Sequence, residues 1–159
     1  FGGVAWEVTE KTKGTIKGGY GINNFKDPSL EKFRGYLMEA NIDYNITTRH
    51  SLKLKATRET NETNMYGTDF FVTTGFSLEY FHRFTGKITA RSNISYGMDS
   101  YHGLYERKDD TWNFGLGLVY SIQKWLKTEA GYYYTNRTSN FDYLGYKNNL
   151  FNIRVTTTL

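Results

Sequence analysis

The chain of 159 residues contains no cysteine and a single proline. The lack of cysteine excludes disulfide scaffolds, cysteine-ligated zinc or iron–sulfur sites and thiol catalysis. No apolar run approaches the roughly 18 residues that a membrane-spanning helix needs, and the mean hydropathy is −0.62, so transmembrane helices are excluded as well. Residues 1–7 lack the basic start and apolar stretch of a signal peptide, so we expect a mature chain or part of a longer one.

Neither positive nor negative charge dominates the chain. Lysine and arginine number 20 against 16 acidic residues, which leaves a net charge of +4. The densest basic stretch, Lys53, Lys55 and Arg58, is interrupted by apolar residues, whereas a nucleic-acid surface needs clustered cations. We therefore expect no nucleic-acid partner. The length suits a single domain over residues 1–159.

The chain is rich in aromatic residues, which make up 18% of it, and in an alternating pattern of apolar and polar positions. Between Trp112 and Ile122 every second residue is large and apolar, while most of the residues between them are small or polar. This period of two predicts a β-strand with one apolar and one polar face. Nine segments of this kind follow one another, so the sequence predicts an all-β, antiparallel fold.

The segments repeat as hairpins. Every second strand begins near Ile16, Leu52, Ile88 and Leu126, at spacings of 36, 36 and 38 residues. The connections alternate between short turns at 10–13, 47–50, 85–86 and 123–125 and longer polar loops at 24–32, 61–68, 100–109 and 139–147. Short turns at one rim and long loops at the other are typical of an up-and-down transmembrane β-barrel of the bacterial outer membrane.

A soluble, lipocalin-like ligand-binding barrel shows the same alternation with its apolar face turned inward. Strands of about ten residues or more, aromatic residues near the ends of the apolar face, and a strongly charged opposite face favour lipid on the outside. The predicted lipid-facing residues are Tyr36, Ile42, Tyr44, Phe76, Leu78, Ile94, Tyr96, Trp112, Phe114, Leu116, Leu118, Tyr120, Tyr132, Tyr134, Ile153 and Val155.

The opposite face carries charges of both signs. The predicted lumen-lining residues are Glu39, Asp43, Lys53, Lys55, Glu79, Arg91, Glu129 and Arg154. If the hairpins are tight, the cross-strand ion pairs are Glu7 with Lys17, Asp43 with Lys53 and Lys55, and Glu79 with Arg91, and Tyr133 covers Gly115. Such pairs fix the register of neighbouring strands in a barrel wall. They also make a polar lining without strong preference for cations or anions.

Candidates for catalysis or metal binding are weak. Ser100 and His102 lie close in sequence to acidic residues, but in a predicted loop, where nothing holds them convergently. Glu106, Asp109 and Asp110 offer oxygen ligands for a hard cation without the residue order of a calcium loop. We expect no catalytic residues, no cofactor and no metal site, and hence no enzyme.

Four stretches resemble a known family. Residues 68–78 (TDFFVTTGFSL), 81–87 (FHRFTGK), 105–111 (YERKDDT) and 131–143 (GYYYTNRTSNFDY) are similar to the putative β-barrel porin 2 family of bacterial outer-membrane proteins, chiefly from about Leu52 onward. The resemblance implies a porin-like channel or wall in the outer membrane, linked to exopolysaccharide export or to the passage of polar solutes. It assigns no binding residues.

The last strand also resembles the signal that barrel-assembly machinery reads: Phe151, Ile153, Val155 and Thr157 alternate before a terminal Leu159, where phenylalanine is usual. The expected partners are therefore outer-membrane lipid, that machinery, and polysaccharide-secretion components.

Nine strands conflict with the even strand number of single-chain bacterial barrels. One solution is that the chain is the C-terminal part of a larger barrel, completed by further strands or another chain. The other is that the first strand is an extension and that eight strands close alone. Eight strands leave an interior that side chains fill, which suits a scaffold or adhesin and not a channel.

Overall fold

The computed structural model describes residues 2–9, 11–23, 32–63 and 65–158. Within these ranges the chain forms nine strands and one short 3-10 helix, η1 (Asp142–Leu144). The strands are β1 (Gly2–Thr9), β2 (Thr12–Asn23), β3 (Phe33–Asn45), β4 (His50–Glu62), β5 (Thr68–Arg83), β6 (Ile88–Gly103), β7 (Arg107–Gln123), β8 (Leu126–Ser139) and β9 (Tyr146–Thr157). No helix in the described ranges is both long and apolar enough to cross a membrane.

All nine strands lie in one antiparallel sheet, and each pairs with its neighbours in sequence, which confirms the predicted up-and-down fold. The sheet is open, because no ladder joins β1 to β9 in the described part of the chain. β1 pairs with β2 along its length, for example through Val4 and Ile16. The alternative of an extension beside eight closed strands is therefore wrong for this structure: β1 is an integral strand, and β2 to β9 do not close.

The short turns lie where the sequence predicts them, at residues 46–49, 84–87 and 124–125, with β1 and β2 joined between Thr9 and Thr12. The predicted loops 24–32 and 61–68 lie partly outside the described residues. The predicted loop 100–109 is mostly strand, because β6 runs to Gly103 and β7 begins at Arg107. Its polar residues still pair across the sheet. The polar stretch is therefore a continuation of β6 and β7 beyond their apolar region, and the strands do not end where the apolar residues end.

The register drifts steadily across the sheet. One row of residues, paired from strand to strand, includes Thr12 on β2, Leu52 on β4, Ser92 on β6 and Tyr132 on β8. Thr12 is the first residue of its strand, whereas the other three lie two, four and six residues after the first residue of theirs. The same row lies one residue from the end of β3 and seven from the end of β7. A stagger of about 1–1.5 residues per strand corresponds to a tilt of about 35–45°, the range in which sheets close into barrels.

The sheet has two chemically different faces. We call the face with Lys53 and Glu79 the polar face, and the face with Ile94 and Leu116 the apolar face. Among the described residues only three hydrophobic side chains are buried, Phe33, Phe70 and Val72, next to the long-loop ends of their strands. A single layer cannot bury its own apolar face, so Ile153 and Phe151 remain 79% and 78% exposed.

Candidate channel-lining face

Strand alternation and register place all eight predicted lumen-lining residues on the polar face, and all sixteen predicted lipid-facing residues on the apolar face. The side chains that the sequence groups together are therefore on one side of the sheet. That the polar face lines a pore and that the apolar face meets lipid stay predictions.

The polar face is crossed by a row of alternating charges on five consecutive strands. We call it the charge row, and its members, each opposite the next, are Glu7, Lys13, Asp43, Lys53 and Glu79. Lys13 Nζ lies 2.5 Å from Glu7 Oε1. Opposite charges on neighbouring strands attract each other, and a slipped register would separate them. Lys13 was not among the residues predicted from the sequence, and without it the row is not continuous.

Two predicted pairs involve the first hairpins. Glu7 faces Lys13 and not Lys17, because the β1–β2 turn lies two residues earlier than expected. Lys17 instead lies opposite Glu39, with Nζ 3.4 Å from Oε2, and Asn41 donates to the same carboxylate at 2.8 Å. The pairing of Asp43 with Lys53 is confirmed, whereas Lys55 lies opposite Asn41.

The predicted pair of Glu79 and Arg91 is also wrong. The β5–β6 turn is centred one residue later than expected, so Glu79 faces Asn93, and Arg91 faces Phe81. Arg91 binds Glu129 two strands away and donates to the Tyr133 hydroxyl at 2.7 Å.

Glycines on the middle strand make room for these contacts. Gly117 lies between Arg91 and Gly131 in the register, so no side chain separates the guanidinium from Glu129. Gly115 lies opposite Tyr133, as predicted. A Cβ at Gly115 would lie 2.9 Å from the Tyr133 ring and 2.1 Å from Asn93 Oδ1, so both side chains cover the bare backbone closely.

A second charged centre lies beyond the apolar region of β7. The Asp109 carboxylate is fully buried and receives Arg107 Nε at 3.0 and 2.9 Å from its two oxygens. Arg137 on β8 donates to the same carboxylate. Burial acts to raise the pKa of Asp109, but hydrogen bonds from Arg107, Ser139 and Arg137 outweigh it and lower the pKa to about 2.

This geometry separates the acidic residues that the sequence suggests as a cation site. Asp109 and Asp110 are adjacent in a strand and face opposite sides, and Asp110 accepts a hydrogen bond from the Tyr96 hydroxyl. Glu106 lies in the connection before β7. In the described ranges no group of three or more His, Asp or Glu side chains converges as a metal site. The contact of Arg107 and Arg137 with Asp109 was not predicted from the sequence. The Arg-x-Asp spacing of residues 107–109 is the signal that places Arg107 and Asp109 on one face.

Ser100 and His102 do not form a catalytic arrangement with these acids. The His102 ring stacks on Phe70, with ring centroids 4.8 Å apart, and Ser100 lies opposite Val72.

The family model described as putative beta-barrel porin 2 matches residues 1–159, the whole length given. Neither the curated proteins nor the solved structures include a significant match to this chain. The match covers every strand of the sheet, both of its faces and the charge row. The chain therefore belongs to the putative beta-barrel porin 2 family.

Proposed function

We propose that this chain forms the wall of a water-filled, porin-like channel in a bacterial outer membrane. The observation that carries the proposal is the division of one sheet into an exposed apolar face and a polar face crossed by alternating charges. On β7 the apolar positions run from Trp112 to Ile122, which is eleven residues. A tilted strand needs about 9–11 residues to cross the hydrocarbon core.

A channel also requires closure, since exposed edge strands are not tolerated in lipid. The tilt of about 35–45° inferred from the stagger suits a barrel. We propose that further strands or a second copy of the chain complete the ring at β1 and β9. The apolar positions Phe151, Ile153 and Val155 make β9 a suitable strand for recognition by barrel-assembly machinery.

We propose polar solutes, including exopolysaccharide chains, as the cargo. The eight predicted lining residues comprise four acids and four bases, which favours uncharged or mixed-charge solutes over one ion sign. The polar face also carries aromatic rings, such as Phe71 and Tyr101, with centroids 5.0 Å apart. Tyr101 lies between Phe71 and the Arg107 guanidinium, which is 4.4 Å from its ring centroid, so both of its ring faces are covered. The proposed cargo is therefore supported by the mixed charge of the lining and by the family resemblance.

Because the chain has no native cysteine, introduced single cysteines can report which face of the sheet is accessible to water. Single cysteines replace Lys53 and Lys55 on the polar face, and Leu52 and Leu54 on the apolar face, in protein inserted in lipid vesicles. A bulky, water-soluble maleimide is expected to label the first pair and to spare the second. All four variants must react in detergent-denatured protein. Equal labelling of both pairs in the membrane, or labelling of Leu52 and Leu54 positions alone, contradicts the proposal.

A further inference from the structure

Two of the three histidines share one site on the apolar face, at the short-turn rim. His50 begins β4 and lies directly opposite His82 near the end of β5, with ring centroids 4.3 Å apart. Their Nδ1 atoms are 3.1 Å apart. The Tyr80 hydroxyl lies 2.6 Å from His50 Nδ1 and 3.4 Å from His82 Nδ1. Three metal-ligating atoms thus converge on one point.

Without a metal, hydrogen bonds hold the three groups together, because the Tyr80 hydroxyl accepts from one imidazole and donates to the other. An imidazole Nδ1 carries either one proton or one lone pair, so His50 Nδ1 makes a single good hydrogen bond although it has two polar neighbours. A cation between the three groups contacts a lone pair of each. With metal–ligand distances of about 2.0–2.1 Å, the Nδ1 spacing corresponds to an angle of about 100° at the metal, and the two distances to the Tyr80 oxygen correspond to about 80° and 110°. Tetrahedral binding therefore requires the Tyr80 oxygen to move slightly away from His50.

We propose that His50, His82 and Tyr80 bind one divalent transition-metal ion of the zinc and copper class. Imidazole is a common ligand for these ions, and the phenol oxygen adds a harder donor. All three side chains are half-buried, which limits their freedom before binding. His82 faces the small Ala90 on β6, and both line an open groove with Phe84 and Leu118. The remaining coordination positions of the metal face this groove at the short-turn rim.

The test is calorimetric titration of Zn²⁺ into the folded protein in detergent micelles. We expect saturable binding of one Zn²⁺ per chain and at least a tenfold loss of affinity in His50→Ala and in His82→Ala. His102→Ala is the matched control, because this third histidine lies at the opposite end of the strands and stacks on Phe70. Absence of saturable binding, unchanged affinity in the first two variants, or an equal loss in His102→Ala overturns the proposal.

Co²⁺ absorption provides a second readout that separates ligation from folding. Only variants with the wild-type β-sheet circular dichroism are compared. His50→Gln and His82→Gln keep the size of the site if either alanine variant misfolds. The Co²⁺ ligand-field bands are expected to disappear in these variants and to shift in Tyr80→Phe, and to stay unchanged in His102→Ala. Bands that survive both histidine substitutions place the metal elsewhere and contradict the proposal.

Discussion

Arg91 on β6 reaches across Gly117 on β7 and binds Glu129 on β8. Glu129 also lies opposite Arg154 on β9, so one carboxylate is placed between bases on two different strands. The contact between Arg91 and Glu129 links β6 to β8 across β7 on the polar face. A Cβ at Gly117 would lie 3.6 Å from Glu129 Oε1 and 3.9 Å from Arg91 Nε, so alanine fits beside the contact and only a larger side chain would obstruct it.

Loss of the Glu129 charge is expected to destabilise the fold. The Glu129 side chain is 17% exposed and that of Arg91 32%, so Glu129→Gln leaves a half-buried guanidinium without its counter-charge and costs about 1–2 kcal/mol. Urea unfolding, followed by tryptophan fluorescence, measures the effect. Glu7→Gln is the control: it breaks an ion pair at an exposed position, where the cost is about 0–1 kcal/mol. Equal losses contradict this role for Glu129.

Two glycines on the polar face are expected to respond in opposite ways to the same substitution. Gly115→Ala places a methyl group against Asn93 and the Tyr133 ring and is expected to cost about 1–3 kcal/mol. A Cβ at Gly97 meets open space, so Gly97→Ala is expected to be neutral or to stabilise by about 0.4–1 kcal/mol. Thermal or urea unfolding compares the two. Equal effects of Gly115→Ala and Gly97→Ala on stability would contradict the close contact of Asn93 and Tyr133 with Gly115.

The two faces of the sheet were predictable from the sequence, because a period of two survives any error in the turns. Cross-strand charge pairings were predictable only where the turn was placed correctly, as for Asp43 and Lys53, because they depend on where each turn is centred. A turn two residues earlier moved Glu7 from Lys17 to Lys13, and a turn one residue later separated Glu79 from Arg91. The contact between Arg91 and Glu129 spans two strands, so hairpin geometry alone could not reveal it.

The ends of the long strands were also hidden from the sequence. Polar residues after an apolar stretch usually indicate a loop, yet β6 and β7 continue through 99–101 and 107–109. In this part of β7 the buried carboxylate of Asp109 binds Arg107 on the same strand and Arg137 on β8. Arg137 lies on the next strand, so nothing local to 105–111 predicts it.

An arginine on the apolar face is expected to impair membrane insertion. Leu116→Arg and Ile42→Arg place a charge near the middle of the apolar region, where the cost in a bilayer is about 2–4 kcal/mol. Thr57→Arg is the control, because it adds the same side chain on the polar face opposite Glu39. The yield of heat-modifiable, membrane-inserted protein is the measurement. Normal insertion of both apolar-face variants contradicts the assignment of that face to lipid.

The pKa of Asp109 predicts an acid-sensitive contribution to stability. Because the folded-state pKa is about 2, below the ordinary 3.8, the contribution is complete above about pH 4 and disappears as the pH falls toward 2. Its size is about 2 kcal/mol. Denaturant unfolding at pH 6, 4, 3 and 2 measures it.

Asp109→Asn removes this titration, so the fall in stability between pH 4 and pH 2 is expected to be smaller than in the wild type. The variant is also expected to be about 3–5 kcal/mol less stable at neutral pH, because two arginines lose their buried partner. Asp142→Asn, at an exposed position in η1, is the control and is expected to keep the wild-type profile. A full acid response in Asp109→Asn shows that other groups cause it.

The most direct test of the channel proposal is unitary conductance in a planar bilayer. It is recorded with the closed barrel, that is, this chain with the strands or the second copy that complete its ring, shown to be inserted and heat-modifiable. We predict stable conductance steps with little preference between cations and anions. Lys53→Glu with Lys55→Glu is expected to shift the reversal potential toward cation selectivity, whereas Lys147→Glu, on the other face, leaves it unchanged. Inserted protein that gives no steps, or steps whose selectivity ignores Lys53 and Lys55, contradicts a water-filled channel lined by the polar face.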